Sequence, residues 1–340
     1  MSHGFALPEP TYRFAKGFPE ARQFFRKTQS ITVSSLGLGS YLGALDDATD
    51  ASYEQAVKAA IAAGINLIDT SLNYRHQRSE RAIGRALSEL LEAGSVEREQ
   101  VVVATKAGYL VPDAVPETDE IEGGMHCMTE QFLNDQLLRS QANLMLDTVD
   151  IFYLHNPETQ LRYVSDDVFY ARIERAFAAL EALAEKGRIR FYGAATWSGF
   201  REAGQLSLQR MVAIARRVGG SMHRFRFIQM PVNLAMPEAF TRMDEEGRTV
   251  LDLSQEENIS VIASASLMQG RLAGGLPEDV AARIPGAGTD ALRSIQFVRS
   301  TPGIVSALVG MSSAAHVREN ASIAGVMPMG PDGYFRLFRK

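Results

Sequence analysis

Three observations predict an α/β protein folded as a (β/α)8 TIM barrel with an N-terminal arm and long loops at its carboxyl-end face. Short apolar runs alternate with amphipathic helical segments along nearly the whole chain. Eight such strand–helix units can be counted in the 340 residues, a length that suits one barrel of typically about 250 residues plus additions. Polar side chains also recur at the carboxyl ends of successive apolar runs, where a parallel barrel gathers its chemistry.

Taken in order, residues 1–30 hold prolines, scattered aromatics and a basic FFRK stretch, read as an arm with a hairpin over one end of the core. The barrel is expected over 31–326 and a C-terminal tail over 327–340. The first strand is expected at Ser34–Ser40, followed by a helix from Asp50 to Ala63 that turns Ala56, Ala59, Ala60 and Ala63 inward. Further strands are expected at 65–68, 101–105, 149–153, 190–194, 226–229, 259–263 and 304–309. The intervening helices fall near 80–93, 130–146, 167–186, 205–218, 249–257 and 288–300, with a last one at 314–324. Two stretches exceed a minimal barrel. Ala107–Met128 is rich in Pro, Gly and acidic residues, and Leu272–Gly288 is similar. Loops of that length usually carry function, and the first leaves directly after Lys106, so it is expected as a flap over a substrate pocket.

Composition narrows the classes. The net charge is −5 and no long basic run exists, so no nucleic-acid footprint is visible. The run Arg210, Arg216, Arg217, Arg224, Arg226 reads as a solvated helix and loop. No apolar stretch approaches the ~18 residues of a membrane span, and the amino end has charges and prolines where a signal peptide needs an apolar core. A cytoplasmic protein is expected. The single cysteine, Cys127, leaves no intramolecular disulfide and no metal cluster, so no metal is expected. Gly37-Leu-Gly39-Ser-Tyr-Leu-Gly43 imitates a dinucleotide fingerprint, but six residues, 44–49, separate its last glycine from the helix expected at Asp50. In a Rossmann turn the glycines open the helix directly.

The strand ends carry the chemistry. Asp69 closes the second strand and Tyr74 follows in a polar loop. Lys106 ends VVVATK, and His155 ends DIFYLHNP. In a parallel barrel these tips are neighbours. An ammonium beside a phenol stabilises phenolate and lowers the tyrosine pKa from about 10. A carboxylate keeps the lysine charged, and an imidazole can bond an oxygen on which charge develops. That set suits carbonyl reduction.

At these residues the sequence resembles the aldo-keto reductase family. IDTSLNY with SERAIG, VVVATK and DTVDIFYLHNP match its four catalytic positions. GRIRFYGAATWS, FIQMPVNL, ASASLMQGRL and SALVGMSSAAHVREN are similar to its later strands and cofactor loops. The nearest branch is the one with potassium-channel β subunits and bacterial reductases of broad range. The resemblance implies Tyr74 as general acid, Lys106 as its partner, Asp69 holding the lysine and His155 orienting a carbonyl. It implies NADP, with NAD as the alternative, bound along Gly39, Ser40, Asp69, Thr196, Gln229, Ala265, Ser266, Leu267, Gly270, Arg271, Gly310, Ser312, His316, Glu319 and Asn320.

The sequence departs from the family pattern in four places, the first being the unusually long separation of Lys106 and His155 that the 107–128 loop creates. Ala195-Thr196 replaces a common Ser-Asn, so one carboxamide contact is missing or moved to Thr196. Ser264 stands where a stacking tyrosine is common, leaving that face to Trp197 or Phe191. Gly310 and His316 stand where a lysine and an arginine often grip the 2′-phosphate, with Arg318 or Arg271 as substitutes. The implied substrate is a small-molecule aldehyde, ketone or sugar. The alternatives are a nicotinamide-binding, redox-sensing regulatory subunit and a lyase using Lys106 as a Schiff base. Oligomeric state is not legible.

Overall fold

The computed structural model describes residues 2–284 and 286–338, without the side chain of Arg22. Eight parallel strands close a barrel among them. These are β3 (Leu36–Gly39), β4 (Leu67–Asp69), β5 (Val102–Ala107), β6 (Val149–His155), β7 (Ile189–Ala195), β8 (Phe225–Pro231), β9 (Ser260–Ser264) and β10 (Ile304–Gly310). They run in chain order around the barrel, and β10 pairs with both β9 and β3. Most strand positions are buried, facing either the barrel interior or the helices, which is why the strands are predominantly apolar in sequence. Leu67, Val102, Ala104, Ile151, Tyr153, Phe227, Ile262 and Leu308 fill the interior. Alternate residues such as Ile68, Val103, Phe152, Tyr192 and Ile228 face the helices.

The principal helices are α2 (Asp47–Ala62), α3 (Arg78–Glu92), α4 (Glu130–Leu144), α5 (Asp166–Glu185), α6 (Leu208–Gly219), α8 (Val250–Glu256), α10 (Asp290–Ser300) and α11 (Ala314–Ala321). Side-chain caps fix several starts: Asp46 accepts from the Thr49 amide, Ser207 from Arg210, and Thr249 and Asp252 form a reciprocal capping box. The cap at Ser207 is why α6 begins three residues later than its apolar pattern suggests. The last helix ends at Ala321 and continues as a tighter turn over Ser322–Gly325. Gly84 has a steric reason, since a Cβ there would lie 2.2 Å from the Asn143 carbonyl where α3 crosses α4.

The expected strand at Ser34–Ser40 is two elements. The hairpin of β1 (Phe25–Thr28) and β2 (Ile31–Ser34) ends at Ser34, and β3 starts afresh at Leu36. Ser35 donates its amide to the Phe24 carbonyl and so turns the chain. Ile31 and Val33 of the hairpin, with Ala6, join the barrel's interior cluster and plug its amino end. Helix α1 (Pro8–Lys16) packs beside the hairpin. Short helices α7 (Glu238–Thr241), α9 (Glu278–Arg283) and α12 (Pro331–Phe335) lie in connections and the tail. They escape periodicity because they are six residues or fewer. Tyr334 of α12 is fully buried against Phe240 and Phe297, while residues 339–340 of the tail lie outside the described residues.

Arg299 ties the two ends of the chain to the barrel. Fully buried, it donates to the carbonyls of Ile323, Val326 and Gln23, to Gln296 Oε1 and to Ser35 Oγ. Arg26 of β1 bonds the carbonyls of Arg299 and Ile304. Arg299→Met would keep most of the volume but strand several buried carbonyls, each costing roughly 1–3 kcal/mol. Urea unfolding should show a loss on the order of 3 kcal/mol with an unchanged slope. A loss under about 1 kcal/mol would mean that water replaces the guanidinium.

Candidate active site

Strands β4, β5 and β6 end in Asp69, in Lys106 (one residue before the end) and in His155, at the same end of the barrel. Lys106 Nζ lies 2.6 Å from Asp69 Oδ1 and 2.7 Å from the Thr70 carbonyl. The other oxygen of Asp69 accepts the Gln229 amide at 2.8 Å from β8. Lys106 Nζ stands 4.9 Å from the centroid of the Tyr74 ring. The His155 ring meets Tyr74 edge-on at 5.8 Å, and its Nδ1 lies 3.1 Å from Ser71 Oγ. The three strand-end residues and Tyr74 of the loop after β4 therefore converge.

Burial sets their charge states. It pushes the Asp69 carboxyl up, against the pull of Lys106 and Gln229. Burial also draws the Lys106 ammonium down, but Asp69 and Tyr74 outweigh it and hold the group above its ordinary value. Desolvation, then the Lys106 and His126 charges, keep His155 well below the usual histidine range and so neutral. The expected lowering of Tyr74 is not the net result. Lys106 does pull its pKa down, but burial of the phenol is the larger effect and leaves it above the ordinary value.

The backbone after Tyr74 is strained. Arg75, His76 and Gln77 all have positive φ, at 49°, 51° and 69°, a conformation that costs non-glycine residues roughly 1–2 kcal/mol each. Arg75 holds it, buried, with Nη2 2.6 Å from Asp50 Oδ1 and Nε 2.8 Å from the Ala44 carbonyl. Nothing in the local sequence pattern had marked Arg75.

A groove of about 850 Å³ opens above Asp69, Tyr74 and His155. Gly39, Ser40, Thr196, Gln229, Ala265, Ser266, Leu267, Gly270, Gly310, Ser312, His316, Glu319 and Asn320 all line it. Arg271 does not, and neither does Arg318; no lysine or arginine lines the groove among the described residues. Trp197 lines it, whereas Phe191 packs on Phe227 in the barrel interior. Of the expected flap only Tyr109 reaches the groove. The rest of Ala107–Met128 is tied to the surrounding helices, by Glu120 and Glu122 to Arg172 and by Asp113 to Arg139 and Gln77. Asp113, Glu120 and Glu122 serve as its anchors. The positive φ of Gly108 (152°) lets the loop fold back so that His126 Nε2 lies 2.8 Å from the His155 carbonyl. Tyr109 then stands edge-on between His126 and His155, at 5.2 and 5.0 Å.

The turn over Ala265–Gly270 has the character of an anion cradle. Ala265, Met268, Gln269 and Gly270 all have positive φ. The Ser266 hydroxyl is buried with no partner among the described residues. After the neighbouring strand β10, α11 begins with its amino end capped by Ser313, and Ser312 and His316 line the groove. Both features suit the phosphates of a dinucleotide.

Residues 35–283 match the Aldo/keto reductase family, and the chain belongs to it. It is similar to the NADH-specific methylglyoxal reductase of Escherichia coli K12, with 30% identity over 175 residues. It is also similar, at 24% identity over 177 residues, to a putative voltage-gated potassium channel subunit beta of Schizosaccharomyces pombe. These alignments cover 49% and 52% of this chain and 50% and 45% of the relatives, about half of each. The fold matches an aldo/keto reductase from Klebsiella pneumoniae, solved in complex with NADP and acetate, with a TM-score of 0.66. That alignment covers 93% of this chain and 94% of the other at 20% identity.

The buried histidines give a pH signature. His126 is held down to about 4 by burial, against about 6.5 when unfolded. Its folded pKa is depressed, so the unfolded chain binds the extra proton first as pH falls. The associated stability is complete above about 6.5 and is lost as pH falls from there to about 4. His126→Gln should flatten the fall in urea midpoint over that window. An equally steep fall in the variant would assign the effect to other groups.

Proposed function

We propose that the protein is an NAD(P)-dependent oxidoreductase that interconverts an aldehyde, ketone or sugar carbonyl with its alcohol. One observation carries the reading: a buried lysine–carboxylate pair stands against the Tyr74 ring, beside a neutral histidine, at the floor of an open groove. A bound nicotinamide dinucleotide supplies or accepts the hydride. Tyr74 donates the proton to the carbonyl oxygen and takes it back in the reverse direction. Lys106 favours the phenolate that results, and its pull opposes the upward push of burial. Asp69 keeps the lysine charged and aimed. With Nδ1 engaged by Ser71, the neutral His155 ring has Nε2 left to bond the substrate oxygen. Gln229 and Thr196 would hold the carboxamide, the Ala265–Gly270 turn the pyrophosphate, and Ser312, His316, Glu319 and Asn320 the adenosine end.

NADP is the cofactor named for the Klebsiella structure, and NADH for the Escherichia coli relative. The groove offers no lysine or arginine to a 2′-phosphate. A missing charge-assisted contact removes on the order of 1.5–3 kcal/mol of preference. Fluorescence titration should therefore give NADPH and NADH affinities much closer than a cation-gripped site would. A thousandfold preference for NADPH would refute this.

Tyr74→Phe tests the chemistry. It removes one hydroxyl, so folding and cofactor binding should survive, while the chemical step in stopped-flow single turnover should fall at least ~100-fold. Lys106→Met should cost a similar factor. The double variant should lose far less than the product, because the two act as one unit. Near wild-type speed in Tyr74→Phe would remove the proposed acid.

A further inference from the structure

His155 is followed by a tight turn, Pro157–Arg162, that the chemistry described so far does not use. Within it Glu158 is buried, with 5% of its surface exposed. A single carboxylate oxygen, Oε1, accepts three successive backbone amides from the segment after β7. These are Trp197 at 2.7 Å, Ser198 at 3.0 Å and Gly199 at 3.1 Å. The second oxygen, Oε2, is buried with no partner among the described residues.

The arrangement is unusual because its two halves are so different. The backbone of residues 197–199 is gathered tightly, yet the Trp197 side chain is 45% exposed and lines the groove. An indole on an irregular loop samples many positions unless its backbone is fixed. Here the fixing comes from one carboxyl oxygen that accepts all three amides in a dry site, where hydrogen bonds are strengthened. The neighbouring residues treat Tyr109 in the same way. Asn156 Nδ2 lies 3.0 Å from the Tyr109 hydroxyl, and Thr159 Oγ1 lies 3.4 Å from it. The segment after the histidine thus holds both the Trp197 backbone and the Tyr109 hydroxyl.

We infer that Glu158 is a positioning residue, clamping the Trp197 backbone so that the indole forms a fixed wall of the substrate pocket. This rests on the reading of the groove as a carbonyl-reductase site, but the clamp itself is measurable without turnover. Trp197 is the chain's single tryptophan, so fluorescence excited at the red edge of the indole band, where tyrosine does not absorb, reports on it alone.

Acrylamide quenching of the protein, with no cofactor or substrate added, is compared among wild type, Glu158→Ala, Glu158→Gln and Glu158→Asp. Glu158→Ala should raise the quenching constant and lower the anisotropy. Glu158→Gln keeps an acceptor oxygen and should stay near wild type, and Glu158→Asp, one methylene short, should fall between. If Glu158→Ala does not fold, the Asp variant decides the question by the same measurement. Steady-state kinetics on an aldehyde bulky enough to reach the indole then test the consequence. KM in Glu158→Ala should rise about tenfold with a smaller change in kcat. Trp197→Ala should do the same, and the double variant should be no worse than either single one. An unchanged quenching constant in a folded Ala or Asp variant overturns the clamp. Multiplicative losses in the double variant overturn the action through Trp197. Wild-type protein that reduces no carbonyl with either dinucleotide overturns the reductase reading and leaves the quenching result to judge the clamp.

Discussion

Two opposite charges out of water are unfavourable unless each is fully engaged, and that constraint organises the mouth of the barrel. Lys106 and Asp69 are almost entirely buried. Asp69 uses one oxygen for the lysine and the other for Gln229, and Lys106 adds the Thr70 carbonyl. Those bonds join β4, β5 and β8, strands that are not all neighbours, across the barrel interior. Removing one partner would leave the other charged, buried and unpaired, typically a loss of about 3–5 kcal/mol. Beside them Glu80 of α3 accepts from Thr105 Oγ1 at 2.6 Å and from Asn143 at 2.9 Å. The helix that begins after the tyrosine loop is therefore fastened to the strand that carries the lysine. A shift of either element disturbs both.

Strain and support lie close together around this pair. Three left-handed residues in succession follow Tyr74, and a buried arginine bonded to Asp50 of α2 holds them. Strain of this kind persists where the surroundings over-determine it, and such places are commonly functional. On the other side of His155, the long loop after β5 returns through His126 and brings Tyr109 against the imidazole. Its salt bridges to α4 and α5 fix the loop from outside. The result is a site whose walls are set by groups several residues removed from the chemistry.

The barrel was legible because most positions of its strands are buried, which writes the strands as predominantly apolar runs of the right length. The strand-end residues were legible for the complementary reason: Asp69, Lys106 and His155 interrupt such runs abruptly. What stayed hidden depends on contacts between distant segments. The break at Ser35 is set by the Phe24 carbonyl, not by any turn residue. Arg75, His126 and Glu158 read as ordinary loop residues, since their partners lie 25, 29 and about 40 positions away. Arg271 was placed in the groove by its motif alone, and three-dimensional packing leaves it outside. Phe191 was a candidate for the face left open by Ser264, but it is the third residue of β7, four short of the carboxyl end, and packs on Phe227 in the barrel interior.

The balance at Tyr74 was not legible for a different reason. Sequence supplies the sign of each neighbour, and a lysine nearby argues for a lowered phenol. Only packing supplies the desolvation, which acts on both members of the pair and here exceeds the lysine's pull. The outcome has a chemical consequence on the proposed reading. Lys106 is paired with Asp69, and Tyr74 and His155 rest neutral. An uncharged carbonyl can then approach without an opposing field, and negative charge on its oxygen arises within reach of the Tyr74 hydroxyl and a nearby ammonium. Burial strengthens the ammonium's interaction with that developing charge by the same low dielectric that disfavours phenolate at rest. The raised phenol is therefore compatible with its role as proton donor, since the stabilisation is needed when the proton moves and not before.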